Sequence, residues 1–133
     1  MILTLVKMPI SKKLVYVVHE HWATHHHFDL RLERKGVLKS WAIPKNIKEA
    51  NKRRILAIQV DDHSYDYKDF EGIIEEGQYG AGKVKIWDRG TYEPISVKTK
   101  KIIFKLNGKK LKGNYVLVKF KPPKNWLFFK KKE

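Results

Sequence analysis

The sequence predicts a mainly β fold: one closed or nearly closed barrel of about eight strands, with little helix. Three observations point to it. Short runs of β-branched and aromatic residues recur along the whole chain, separated by Gly, Pro or Asn at the spacing of an all-β barrel or sandwich. Windows that combine apolar residues at helical spacing with caps are scarce. The 133 residues, 42% hydrophobic and 12% aromatic, suffice for one core and not for two. The expected organisation is a single domain over 1–133, with a short N-terminal arm at 1–13 and a basic tail at 130–133, frayed and solvated.

The first strand falls at 14–18, a β-branched and apolar run. The second is 27–33, where apolar and polar residues alternate, and the third is 37–43, entered through a Lys35-Gly36 turn. Residues 46–54 hold one helical turn, and 55–60 is a fourth strand of buried type. The second half supplies 83–87, 102–106, 115–120 and 126–129. Asn107-Gly108 is a hairpin-type turn signal, and Pro122-Pro123 is a stiff connection before the last strand.

Charge narrows the partner. Lys and Arg number 29 against 14 Asp and Glu, giving +15 at pH 7, so a polyanion such as nucleic acid is expected to bind through salt-sensitive phosphate contacts. The competing explanation is a solubilised Lys-rich surface. Cysteine is absent, which excludes disulfides and thiolate metal sites. The apolar run near the start is too short for a signal-peptide core and none approaches the about 20 residues of a membrane span, so a soluble, cytoplasmic protein without a membrane partner is expected.

Five of the six histidines fall between His19 and His27. From His27 onward a strand puts His27, Asp29, Arg31 and Glu33 on one face, and Phe28, Leu30 and Leu32 on the other. A merely solvated face more usually carries Lys, Thr and Glu, whereas imidazole beside carboxylate is a transition-metal set. His21, His27 and Asp29 supply two nitrogens and one oxygen and leave coordination positions open, as a catalytic ion needs. Arg31, on the same face, reaches an anion bound there. His25 and His26 are loop or supporting groups.

Two motifs come close to known patterns and fail. His21 and His25 have the spacing of helical zinc proteases, but Trp22 stands where the Glu is required. Residues 77–83 match the start of a P-loop, but Val84 replaces the hydroxyl residue and a strand follows, so a tightly packed Gly-rich turn is expected. A further cluster at 61–67 follows the fourth strand. There His63 reads as a turn histidine that, with Lys45 past the third strand, stands across from the metal.

Taken together these residues resemble the 3′-phosphoesterase modules attached to bacterial DNA ligase D and found as stand-alone archaeal proteins. The resemblance runs from about Tyr16 to Phe129 through HEHWATHHHFDLRLE, LKSWAIPK, IQVDDHSYDY, FEGIIEEGQYGAGKVKIWDRGTYEP and KLKGNYVLVK, in family order. It implies a mainly β barrel that uses manganese to trim 3′ ends before end joining, removing a terminal ribonucleoside and then the 3′-phosphate to expose a 3′-hydroxyl. It places His21, His27 and Asp29 on the metal ligands, and Arg31, Lys45, His63 and Tyr67 on phosphate-binding or catalytic positions. The implied partners are primer-template DNA with a 3′-ribonucleotide or 3′-phosphate end, and DNA ligase, polymerase and Ku-type proteins. The chain departs from the family in its short arm, in His19 where Gln is common, and in Ile55, where the family's Arg is displaced to Arg53 or Arg54.

On this reading Arg31 and Lys45 stabilise charge on the phosphate, and His63, with an ordinary pKa near ~6.5, protonates the leaving oxygen or binds the phosphate. Lys83, Lys85, Trp87 and Arg89 guide the strand. The donor set accepts Mn, Fe, Co, Ni or Zn. The main alternative is a non-catalytic nucleic-acid-binding barrel that assists a ligase.

Overall fold

The computed structural model describes residues 13–132; apart from Lys13, the expected N-terminal arm lies outside them, as does Glu133 of the tail. In chain order the elements are β1 (Leu14–Trp22), β2 (His26–Arg34), β3 (Val37–Ile43), the 3-10 helix η1 (Ile47–Asn51), β4 (Ile55–Ser64), the 3-10 helix η2 (Tyr65–Asp69), β5 (Gly72–Ile74), β6 (Gly82–Lys98), β7 (Lys101–Asn107), β8 (Lys112–Lys121) and β9 (Asn125–Lys130). Neighbours are antiparallel in the order β1-β2-β3-β4-β9-β8-β7-β6-β5, and a further pairing of β1 with β6 closes the ring. The closed barrel therefore contains the eight expected strands, and β5 is a short addition on β6.

Period-two alternation fills the interior. Tyr16 and Val18 from β1, Leu30 from β2, Trp41 from β3, Ala57 from β4, Tyr92 from β6, Phe104 from β7, Leu117 from β8 and Phe128 from β9 all join one buried cluster. The larger of these, such as Val18, Leu30, Leu117 and Phe128, each contribute about 1.5–3 kcal/mol on leaving water. The helical turn expected at 46–54 is η1, capped by the Asn46 side chain on the Lys48 amide; its Ile47 and Ala50 plug one end of the barrel.

Several boundaries differ from expectation for local physical reasons. β1 runs on to Trp22 because β2 and β6 pair with it on both sides, which outweighs the weak strand preference of its His and Glu. β4 continues to Ser64, so His63 is a strand residue opposite Leu38 and not a turn histidine. β6 spans 17 residues and carries Pro94 where the pairing register shifts, a position that needs no ladder amide. The Lys35-Gly36 turn forms with both residues at positive φ, 53° and 83°. Asn107-Gly108 does not make a two-residue turn: β7 ends at Asn107, and the connection closes through Gly108 N–H to the Leu111 carbonyl. The tail is partly anchored, since Lys130 belongs to β9 and the Lys131 amide donates to the Asn114 carbonyl at 2.8 Å. Among the described residues no helix is long and apolar enough to cross a membrane.

Candidate active site

β2 has two buried faces. Phe28, Leu30 and Leu32 enter the barrel, so His27, Asp29, Arg31 and Glu33 lie on the outside of the wall, yet Asp29, Arg31 and Glu33 are all buried. The excursion from η2 to the start of β6 roofs His27, Asp29 and Arg31. Its Tyr67, Ile74, Tyr79 and Gly80, with wall residues His21, His27, Asp29, Arg31 and His63, line a cavity of about 320 Å³.

Strand register assembles the chemistry. In the β1–β2 ladder His21 faces His27 and His19 faces Asp29, while Ser40 of β3 faces Arg31. His21, His27 and Asp29 each bring a ligand atom to within 4.8 Å of the others. Neighbouring carbonyls set both tautomers. The Gly80 carbonyl accepts from His21 Nε2–H at 2.8 Å, leaving Nδ1 facing Asp29 Oδ2 at 3.8 Å. The His25 carbonyl accepts from His27 Nδ1–H at 2.9 Å, leaving Nε2 at 3.3 Å from the same oxygen. Two imidazole lone pairs and a carboxylate oxygen thus converge with their outer hydrogen bonds satisfied, an arrangement suited to a divalent metal.

The electrostatics follow from burial and these contacts. When His27 is protonated, its Nε2–H donates to Asp29, and this bond raises its pKa; burial, then the charge of His27, lowers that of His21. Burial opposes ionisation of Asp29, but His27 and Arg31 outweigh it and hold the carboxyl below its ordinary value. Burial and Arg31 lower His63, so its imidazole is neutral at pH 7.

Arg31 is held on three sides. Its Nε–H donates to His19 Nδ1 at 3.0 Å, Nη1 donates to Ser40 Oγ at 2.8 Å, and Nη2 lies 3.4 Å from Asp29 Oδ2. Two of its five N–H groups then remain for an anion in the cavity. His63 stacks on Tyr67 at 4.3 Å, and Arg31 lies 5.0 Å from the same ring. His21, His27, Asp29, Arg31, His63 and Tyr67 are therefore in one place. Lys45 stands apart, exposed past the end of β3 and not part of the cavity wall.

Other groups escape a reading of motifs. His19 is fully buried; its Nδ1 accepts from Arg31, so Nε2–H must donate to the Phe70 carbonyl at 3.1 Å. A pairing of His21 with His27 would have revealed it, because His19 then faces Asp29. Ser40 and the Gly80 carbonyl offered no such signal. The failed P-loop is a Gly-rich turn, but it packs tightly only at its end: at Gly82, φ +129°, a Cβ would meet the Trp22 carbonyl oxygen at 2.1 Å, whereas Gly77 has open space around it and Tyr79 is exposed. Glu33 serves the fold, accepting from the Val15 amide. Lys83, Lys85 and Arg89 are exposed on β6, while Trp87 packs edge-on against Phe28.

A family model of the DNA ligase D 3′-phosphoesterase domain matches residues 19–119, a stretch that includes the whole cavity wall. The chain belongs to this family. As a phosphoesterase domain it is 45% identical over 108 residues to the multifunctional non-homologous end joining protein LigD of Mycobacterium bovis, covering 78% of this chain and 14% of that protein. Identity is 41% over 129 residues with LigD of Mycolicibacterium smegmatis, covering 89% and 17%. With LigD of Pseudomonas aeruginosa it is 46% over 113 residues, covering 80% and 13%. The chain thus spans less than a fifth of the length of these relatives. Membership implies a phosphoester hydrolase.

Proposed function

We propose that this domain is a manganese-dependent 3′-end-processing phosphoesterase of DNA or RNA strands, removing a 3′-terminal ribonucleoside and then the 3′-phosphate to leave a 3′-hydroxyl. The observation that carries this reading is the convergence of His21 Nδ1, His27 Nε2 and Asp29 Oδ2 beside the unspent N–H groups of Arg31. His21, His27 and Asp29 would hold the ion. Bound there, it would supply a Lewis acid and a water of lowered pKa; Co, Zn, Ni or Fe suit the same donors.

The remaining residues act on the ester. Arg31 binds two non-bridging oxygens with its free N–H groups and offsets the charge that builds on them. Tyr67, whose pKa burial raises, keeps its hydroxyl proton and supports His63 by stacking. His63 presents a neutral imidazole, and the arriving phosphate counters the charge of Arg31 that depresses its proton affinity. It is then suited to take up the proton that the attacking water gives up and pass it to the leaving oxygen as the new P–O bond forms and the ester P–O bond breaks. Lys45, past the end of β3, meets a neighbouring phosphate of the strand. By analogy with the relatives named for end joining, the setting is DNA end repair in the cytoplasm, on primer-template ends and with ligase, polymerase and Ku-type partners.

The test is incubation of metal-loaded protein with a primer-template ending in a 3′-ribonucleotide or 3′-phosphate, with products resolved on a gel. His27→Ala should lose phosphate release while keeping DNA binding. Unchanged release by that variant refutes the mechanism.

A further inference from the structure

The η1-plugged end of the barrel carries most of the molecule's excess charge. At this end β3 stops, β4 starts, β9 stops and β8 starts, in neighbouring order round the ring. The segments at and beside these strand ends are 44–54, 108–112 and 130–132. They contain eleven lysines and arginines, all exposed, and a single glutamate, Glu49. None of the eleven is in an ion pair among the described residues. By contrast, Lys39, Lys68 and Arg89 elsewhere are paired with Asp62 and Asp69. A cavity of about 350 Å³ opens in the middle of the arc, between Lys52, Arg53 and Arg54 on one side and Lys130, Lys131 and Lys132 on the other.

The arc is continuous with the active site, because His26 and His27 start β2 at the same end, one strand from Lys45. From β2 to β8 there are four inter-strand steps, on the order of 20 Å at about 4.8 Å each. That length matches about six base-pair rises of a nucleic-acid backbone, far more than one nucleotide. The aromatics here are already covered. Lys110 Nζ lies 4.6 Å over Trp87, the Arg54 guanidinium 4.7 Å over Phe129 and Lys130 Nζ 5.9 Å over Tyr115. Ring faces capped by cations offer no platform for unpaired bases, so the arc suits phosphates of a paired backbone.

We propose that this end of the barrel docks the duplex leading to the 3′ end, through Lys52, Arg53, Arg54, Lys130, Lys131 and Lys132, and so delivers the terminus to the neighbouring cavity. The surface deepens the 3′-end-processing reading and rests on it. It reads backbone, not sequence, and its contribution falls steeply with salt.

The test compares a Lys52→Gln/Arg53→Gln/Lys131→Gln variant with a control carrying Lys98→Gln/Lys121→Gln/Lys124→Gln from the opposite end. Anisotropy of a labelled duplex of about 20 base pairs gives affinity against salt, with about 0.9 of log-log slope lost per phosphate contact removed. Turnover of p-nitrophenyl phosphate, too small to span the arc, is measured in parallel. The expected result is at least about tenfold weaker duplex binding and a slope reduced by about 2.7 in the first variant alone, with p-nitrophenyl phosphate turnover equal to wild type. Equal losses in both variants, or none in either, overturn the docking surface. Were turnover and 3′-phosphate release from the primer-template both absent from all three proteins, the phosphoesterase reading would fail, while the isotherms would still decide the docking surface.

Discussion

His19 shows how a buried neutral side chain can orient a cationic one. It faces Arg31, Asp29 and His63 as well as the Phe70 carbonyl, and burial, then the charge of Arg31, push its pKa down to about 4. Below its ordinary 6.5 the unfolded chain takes up a proton that the folded protein refuses until about 4, so stability falls as pH drops through that window. The loss reaches about 3 kcal/mol. Urea unfolding of metal-free protein at the two ends of that window should show it, and His19→Gln, which still accepts from Arg31 and donates to Phe70, should flatten it. His19→Leu should cost about 1–3 kcal/mol at neutral pH, because it strands the Arg31 Nε–H, and should lower kcat with it. At this scale the sequence was readable where period two governs: His27, Asp29 and Arg31 fall on one face by counting alone. It was unreadable where partners are backbone carbonyls, such as those of Gly80 and His25, or where long-range pairing supplies them.

Strands were legible wherever turn chemistry bounded an apolar run, which is why the eight barrel strands stand where expected. β5 and η2 were not, because three residues of strand and one turn of helix have no stability of their own and exist through the roof they build over the cavity. The extension of β6 was hidden by Pro94. Two glycines separate the roles of such segments. Gly82→Ala drives a Cβ into the Trp22 carbonyl, which must displace the end of β1 that carries His21. It should destabilise by about 3 kcal/mol and weaken metal binding measured by calorimetry. Gly77→Ala has open space at φ +88° and should cost only about 1–2 kcal/mol, with metal affinity retained. The β7–β8 connection depends on Asp88, whose carboxylate accepts from Tyr16 Oη, the Lys109 amide and the Leu111 amide. Asp88→Ala leaves these donors unmet and should lower stability by about 3 kcal/mol or more in thermal melts.

For the whole molecule, the interior and the chemistry occupy opposite sides of the same wall. Stripping the metal should therefore leave the barrel folded, with an unchanged far-UV circular dichroism spectrum and no phosphate release. Re-adding Mn2+ to 100 times its Kd should restore about 2.7 kcal/mol of stability, and loss of secondary structure on chelation would contradict this separation. The same layout bears on proteolysis. The roof is one excursion of chain between β4 and β6, and Glu75 and Glu76 are exposed within it. A glutamate-specific endoprotease that nicks there would sever no rung of the eight-strand ring. The two fragments would stay associated, yet Tyr79 and Gly80 would no longer be tied through the chain to Tyr67, and His21 would lose the register of the carbonyl that orients it.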